Sequence, residues 1–392
     1  MRDFSNMAAH LDEHRVKHPF EVLRMPTPFV WQDPSTLPRR PWIYGRHLLR
    51  KQVAVTVAPG GVGKSSLTIV EGLAMASERE LLGEWTAKGL NVWLYNLEDP
   101  RDEMNLRISA AMQHHDVQPG EIEGRLFVDT GRERELCTAV QTRDGVVIVK
   151  PEIEELAREI ADRHIDVMVI DPFVSSHKAG ENDNVAIDLI AKEWARLADL
   201  CNCAIELVHH TRKTNGVEAT TEDGRGGSAL LAAARSGRVL NRMTPEQGEQ
   251  AGIADDDLTT YFTVTRDKAN LAPVGKRVWR RMASVELANG ESVGVAEVWD
   301  WPDTFDGFDS KDLLAVQNAI KGKHPRFSDQ AGDGWAGVIV ADVLGLDVTK
   351  EKRRIKKMIA AWLQSGALVK KQVNDEARRP RPCLEVGEWA TE

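Results

Sequence analysis

Between residues 53 and 210, short apolar runs alternate with longer stretches in which apolar residues recur every three or four positions. Residues 53–57, VAVTV, read as a buried strand, followed at once by a glycine-rich turn and a helix over residues 64–77. NVWLYNL at 91–97 reads as a second buried strand, and Met104, Ile108 and Ala111 then recur at helical spacing. A short strand is expected around 126–128, and residues 146–149 fit a hairpin that decorates the main sheet. Residues 152–163 place Ile153, Leu156, Ala157 and Ile160 on one helix face. IDVMVID at 165–171 is an apolar strand ending in aspartate; the helix after it carries Ile187, Ile190, Trp194 and Leu197 on its stripe. Residues 204–208 form another buried strand, closed by His209 and His210. Strands alternating with helices predict an α/β fold with a mostly parallel sheet covered on both faces. Ligands of such sheets bind at the carboxyl ends of the strands. Three later runs, 261–265, 277–282 and 293–299, fit antiparallel strands at one sheet edge.

The flanks break this pattern. Residues 1–50 are polar and punctuated by Pro26, Pro28, Pro34, Pro38 and Pro41, with Trp31, Trp42, Ile43 and Tyr44 as apolar anchors against the body or a neighbouring subunit. Around 301–312 proline, glycine and aspartates mark a linker. Helical segments at 313–320, 337–344 and 350–363 and a hairpin over 367–386 then follow in the order of a winged helix-turn-helix. The third helix would bury Ile355, Met358, Ile359, Trp362 and Leu363 and turn Lys352, Arg353, Lys356 and Lys357 outward, as a groove-facing helix requires. The expected organisation is therefore a proline-rich extension over 1–50, an α/β core over 51–300 and a basic winged-helix-like domain over 301–392.

Charge sharpens this division. The 392 residues carry a net −9, which by itself does not indicate a nucleic-acid binder. Residues 350–381, however, hold eleven Lys or Arg against three Asp or Glu, a local +8 that leaves −17 for the rest. A basic module is attached to an acidic body. A hydrophobic share of 42% supports a substantial core. Four cysteines form no disulfide framework, and Cys201 and Cys203 lack zinc spacing, so a cytoplasmic chain is expected. No run approaches the length of a membrane span, so no membrane partner is expected.

The chemistry concentrates at strand ends. Ala58-Pro59-Gly60-Gly61-Val62-Gly63-Lys64-Ser65-Ser66 matches the phosphate-binding P-loop, with Ala58 where the pattern opens on glycine. Backbone N–H groups of Gly60, Gly61 and Gly63 can close around phosphate, and the following helix adds its positive dipole end. Lys64 would reach the β- and γ-phosphates of ATP and Ser65 would ligate Mg²⁺. Asp171, ending an apolar strand, fits the aspartate that holds Mg²⁺; Asp166 lies at the wrong end of that strand. Glu98 would orient the attacking water, with Asp99 as a competitor better suited to starting the next helix. His209 or His210 can donate to the γ-phosphate and report its loss to the loop over 211–227. Arg225 or Arg235, supplied by a neighbouring subunit, can stabilise transition-state charge. Arg46 and His47, just before the first strand, are candidates for the nucleotide base or for a plain surface role.

APGGVGKSS, the strand ending YNLEDP, VMVIDP, LVHHTRK and GRGGSALLAAAR together resemble the RepA-like hexameric helicase ATPases of plasmids and phages, within the wider RecA/DnaB superfamily. The resemblance spans residues 53–240. It implies a RecA-like P-loop core, ATP hydrolysis with Mg²⁺, assembly into a homo-hexamer or other ring, and movement on single-stranded DNA contacted by loops 173–182 and 211–224. The N-terminal extension and the basic C-terminal region depart from that pattern. Three functions are weighed: a DNA helicase or helicase-like DNA-dependent ATPase of plasmid, phage or mobile-element replication; an ATP-switched regulator whose winged domain binds duplex DNA; and, least favoured, a small-molecule kinase.

Overall fold

The computed structural model describes residues 26–211, 218–224, 227–273, 275–375 and 378–391. These residues fall into two units, one ending at Arg40 and one beginning at Pro41. In the first, Asp33 caps a short 3₁₀ turn over Pro34–Thr36, and Trp31 is 71% exposed.

The second unit opens with β1 (Trp42–Tyr44), β2 (Leu48–Leu49) and β3 (Val53–Ala58), then α1 (Lys64–Ser77), β4 (Val92–Asn96), α2 (Arg101–His114), α3 (Pro119–Ile122) and β5 (Leu126–Thr130). A separate hairpin, β6 (Ala139–Thr142) with β7 (Gly145–Ile148), precedes α4 (Lys150–Asp162), β8 (Val167–Asp171), α5 (Asn184–Leu200) and β9 (Ala204–His210). Then come α6 (Gly227–Ala233), β10 (Ser236–Arg242), α7 (Pro245–Ala251), β11 (Tyr261–Ala269), β12 (Val278–Glu286) and β13 (Ser292–Val298). The main sheet runs β13-β12-β11-β10-β3-β9-β8-β4-β5. From β10 to β5 every pairing is parallel, and β11, β12 and β13 extend the edge antiparallel. This is the α/β, mostly parallel sheet that the pattern predicts, with β9 inserted between the P-loop strand β3 and β8.

Alternation along the strands sorts side chains onto two faces. Val53, Val55 and Val57 of β3 join Met168, Ile170, Ile205 and Leu207 in a core with α4 and α5. Ala54 and Ala58 join Val167, Val169 and Val208 in the opposite core with α1 and α2. Among the described residues, no helix is long and apolar enough to cross a membrane.

Strand β10 lies next to β3 in the middle of the sheet, yet its sequence, SGRVLNR, reads as polar. Arg238 explains how it is buried. Its two terminal nitrogens lie 2.5 and 2.6 Å from the carboxylate oxygens of Glu71 on α1, and its Nε donates to Thr56 Oγ1 at 2.6 Å. Thr56 in turn donates to Glu206, whose other oxygen meets His47 Nε2 at 2.8 Å. His47 closes the chain of contacts through Ser236 Oγ at 2.9 Å. All of these side chains are buried.

After a stretch holding Trp299, Trp301, Phe305 and Phe308 come α8 (Ser310–Ile320), α9 (Ala336–Leu344), α10 (Lys352–Gln364) and the hairpin β14 (Leu368–Asn374) with β15 (Pro380–Val386). These elements share their own core, including Val316, Trp335, Val340, Ile355, Met358, Ile359, Trp362 and Leu384. Gln317, fully buried, donates to the carbonyls of Ala367 and Glu388 and accepts from Ala390 N–H, so α8 holds both ends of the hairpin.

Replacing Glu71 with leucine leaves the Arg238 guanidinium buried without its bidentate partner, which costs about 3–5 kcal/mol. The double variant Glu71→Leu/Arg238→Met should recover most of that loss. Urea unfolding of the full chain followed by circular dichroism checks both; a loss below about 1 kcal/mol in the single variant would show that the pair is not what holds β10 to α1.

Candidate active site

The carboxyl ends of β3, β4, β8 and β9 border a cleft of about 520 Å³. At its floor the chain leaves β3 and turns through Gly61 (φ +70°) and Gly63 (φ +107°) into α1. Both φ values lie where a side chain is strained. A Cβ on Gly63 would also fall 2.9 Å from Met282 Sδ, whereas one on Gly60 would meet nothing within 4 Å. Ala58 is the last residue of β3 and has no left-handed φ, so the strand accepts alanine where the motif has glycine. Its carbonyl accepts the Thr211 N–H at 3.0 Å.

Lys64 is buried at the first position of α1. Its Nζ lies 3.0 Å from His210 Nδ1, 3.3 Å from Pro59 O and 3.5 Å from Ala58 O. Burial lowers its pKa, and Asp171 and Glu98 oppose that shift. One residue on, Ser65 Oγ donates to Asp171 Oδ2 at 2.6 Å. Burial raises the Asp171 pKa, offset by this hydrogen bond and by Lys64. A hydroxyl and a carboxylate brought together are hard oxygen donors of the kind Mg²⁺ takes alongside phosphate oxygens, so the residues present fit that ion.

Glu98 lies two residues beyond β4 rather than at its last position. It lines the cleft, and its carboxylate has no hydrogen bond or ion pair among the described residues. Asp99 is committed instead: it accepts from Arg107 at 2.7 Å and from Asn96 Nδ2 at 3.1 Å. Asn96 Oδ1 meanwhile accepts the N–H groups of Glu98 and Asp99, which shapes the turn that presents Glu98.

The two histidines separate because β9 continues through both, so alternation turns them to opposite faces. His210 lines the cleft beside Lys64. His209 is buried on the other side, its ring edge-on to Phe173 at 5.7 Å, with His177 packed on the same phenylalanine at 4.9 Å. Burial, with His209 beside it, brings the His177 pKa down to about 4. Phe173, Ser176 and His177 thus anchor the first half of loop 173–182 in the core, leaving its outer part exposed. In the second loop, Thr211 pairs with Gly224 and Thr221 N–H donates to Asp267, while residues 212–217 lie outside the described residues.

Arg225 also lies outside the described residues. Arg235 precedes β10 and bonds through its N–H to Val53 O, at the amino ends of the strands and so at the opposite end of β3 from its own P-loop. Arg46 and His47 do not line this cleft. Ser66 lines it, but its hydroxyl is engaged by β13, accepting from Ala296 N–H at 2.9 Å and donating to Gly294 O at 3.1 Å.

That contact belongs to a wall the sequence pattern does not reveal. Strands β12 and β13 bring Met282, Ser292, Val293 and Gly294 over the start of α1. Arg242, ending β10, donates to Gly60 O at 3.1 Å and Gly61 O at 2.9 Å, fastening the loop from outside. An arginine at a strand end was the one available signal, and it is weak without knowledge that β10 borders β3.

A family model described as an AAA domain matches residues 17–216. Among solved structures, the crystal structure of the RadB recombinase is similar at 13% identity, over 60% of this chain and 88% of that chain, with a TM-score of 0.39.

Gly63→Ala should weaken binding of a fluorescent ATP analogue by about tenfold or more, since the loop must abandon its left-handed turn and Met282 must shift. Gly60→Ala, with open space and no such φ, should change it less than about twofold. Equal losses in the two titrations would contradict this account of the loop.

Proposed function

The chain belongs to the AAA domain family, and from that premise we propose that it is an ATP-hydrolysing DNA helicase or helicase-like DNA-dependent ATPase of plasmid, phage or mobile-element replication. The observation that carries the reading is the convergence of Lys64, Ser65, Asp171, Glu98 and His210 on one cleft. We assign residues 1–50 to an extension, 51–300 to the ATPase core and 301–392 to a basic winged-helix-like domain.

In this reading the backbone of Ala58–Ser66 cradles the phosphates of ATP, and Lys64 swings from the loop carbonyls and His210 onto the β- and γ-phosphates. Ser65 and Asp171 hold Mg²⁺, which would neutralise charge on the phosphates. Glu98, whose carboxylate has no partner among the described residues, orients a water and accepts its proton. His210, touching Lys64 at one end of the loop that begins with Thr211, senses the γ-phosphate; His209 acts only through packing. Arg225 or Arg235 serves a neighbouring subunit's cleft in a hexamer or other ring. The position of Arg235 away from its own P-loop is compatible with that use. Single-stranded DNA would meet the outer parts of loops 173–182 and 211–224.

Lys64→Ala should abolish hydrolysis, whereas Glu98→Gln should keep ATP affinity within about threefold and lose hydrolysis by a factor on the order of 10²–10⁴. Wild-type turnover should rise when single-stranded DNA is added. A phosphate-release assay with and without oligonucleotide reads all three, and turnover indifferent to DNA would remove the helicase reading.

The alternative, an ATP-switched regulator gripping duplex DNA, draws on the basic face of α10. That face has partners in its own chain: Lys352 and Lys356 share Asp329, Lys357 donates to Gln250 O, and Arg353 lies 3.8 Å from Glu249. Exposed pairs of this kind are worth about 0–1 kcal/mol each, so a duplex can displace them. Arg353→Ala/Lys356→Ala/Lys357→Ala in the full chain should weaken duplex binding and reduce the slope of log affinity against log salt by about 3. Unchanged affinity, with altered assembly in sedimentation, would assign the face to packing against the acidic body.

A further inference from the structure

A second cavity, of about 250 Å³, opens along the flank of α1 and shares no lining residue with the cleft. Its walls come from the β1–β2 turn, α1, β10 and the edge strands β11 and β12. Arg46, Arg238, Arg266, Lys276 and Arg280 line it, against only Glu71 and Glu84. Glu71 is already spent on Arg238 through two short hydrogen bonds. Four cationic side chains therefore face one carboxylate.

Three buried side-chain atoms here also lack a hydrogen bond among the described residues. Arg280 is 6% exposed; its terminal nitrogens donate to Trp279 O and Leu82 O, both at 2.9 Å, but its Nε has no hydrogen-bond partner among the described residues. Tyr44 is 1% exposed, and its hydroxyl likewise has none. Arg266 donates from Nη2 to Pro273 O at 3.1 Å while its Nε is unsatisfied. Burial depresses the pKa of both Arg266 and Arg280, with the neighbouring Arg238 adding to the effect. Donors left unmade in a buried, positively charged space are costly and call for an acceptor that carries negative charge.

We propose that this cavity binds a small phosphate-bearing anion, held by Arg46, Arg266, Lys276 and Arg280, at a site distinct from the ATP cleft. Guanidinium groups match phosphate oxygens in charge and in paired geometry. The volume lies below that of pockets for drug-sized ligands, which suits a phosphate or diphosphate better than a complete nucleoside triphosphate.

Inorganic pyrophosphate is the probe, titrated calorimetrically into the full chain with the ATP cleft saturated by a non-hydrolysable analogue and Mg²⁺. One molecule should bind per chain, and sodium chloride at matched ionic strength should give no such heat. Arg266→Gln/Lys276→Gln should weaken pyrophosphate by about tenfold or more, with the affinity for the ATP analogue unchanged. If that pair does not fold, Lys276→Gln alone, at an exposed side chain, should still weaken it about fivefold. No binding beside a filled cleft, or binding indifferent to these substitutions, overturns the site. So does binding of a short single-stranded oligonucleotide that these residues govern while pyrophosphate does not bind, because the phosphate would then belong to a nucleic-acid track. None of these readouts requires hydrolysis, so failure of the ATPase assignment and failure of this site are told apart.

Discussion

Arg238 crosses from the sheet to α1 through an apolar layer, and the rest of the core is arranged around keeping its charge satisfied. The side chain binds Glu71 on the helix and Thr56 on β3, and Thr56 leads on to Glu206 on β9 and His47 before β2. A buried ion pair of this kind is weak evidence for net stability, because desolvating both charges offsets most of their attraction. Its effect is on uniqueness. With Arg238 on β10 and partners on β3, β9 and α1, any slip in register strands a buried charge. The pair therefore specifies which strand sits beside β3 and how α1 lies across them.

That placement reaches the cleft through shared elements. Glu71 lies two turns after Lys64 on α1, and Arg242, on the same face of β10 as Arg238, bonds the carbonyls of Gly60 and Gly61. The loop is thus held from both sides before any phosphate arrives. Such preorganisation matters because donors already in position need no rearrangement when negative charge enters. The hairpin of β12 and β13 completes the wall, and its hydrogen bonds to Ser66 tie the sheet's antiparallel edge to the helix start. The same edge, together with the turn after β1, builds the second cationic cavity on the other side of α1.

Much of this was legible in the residue order. The β-branched run before Ala58 and the glycines at 60, 61 and 63 specify strand, loop and helix locally, since φ preference and side-chain period act within a few residues. The α1 bounds coincide with the expected 64–77, and Ile355, Met358, Ile359 and Trp362 form the buried face expected of α10. Asp171 and Ser65, more than a hundred residues apart, were paired in expectation from the P-loop motif and meet at 2.6 Å. Of Glu98 and Asp99, both candidates in the residue order, Arg107 engages Asp99, which leaves Glu98 as the proposed water-orienting group.

The alternation of elements, the P-loop and the set of polar residues at strand ends follow from residue order, because each depends on short-range pattern. Tertiary structure alone decided which residues face one another. SGRVLNR has too many polar positions to read as a central strand, and it becomes one only because Glu71 lies opposite Arg238. His209 and His210 are chemically alike in sequence; the pleat of β9 turns one into packing with Phe173 and the other toward Lys64. Arg46 and His47, unremarkable beside the first strands, join Arg266, Lys276 and Arg280 in one cavity only after the sheet has folded back across α1. Burial and long-range charge pairing set these outcomes, and neither has a local signature.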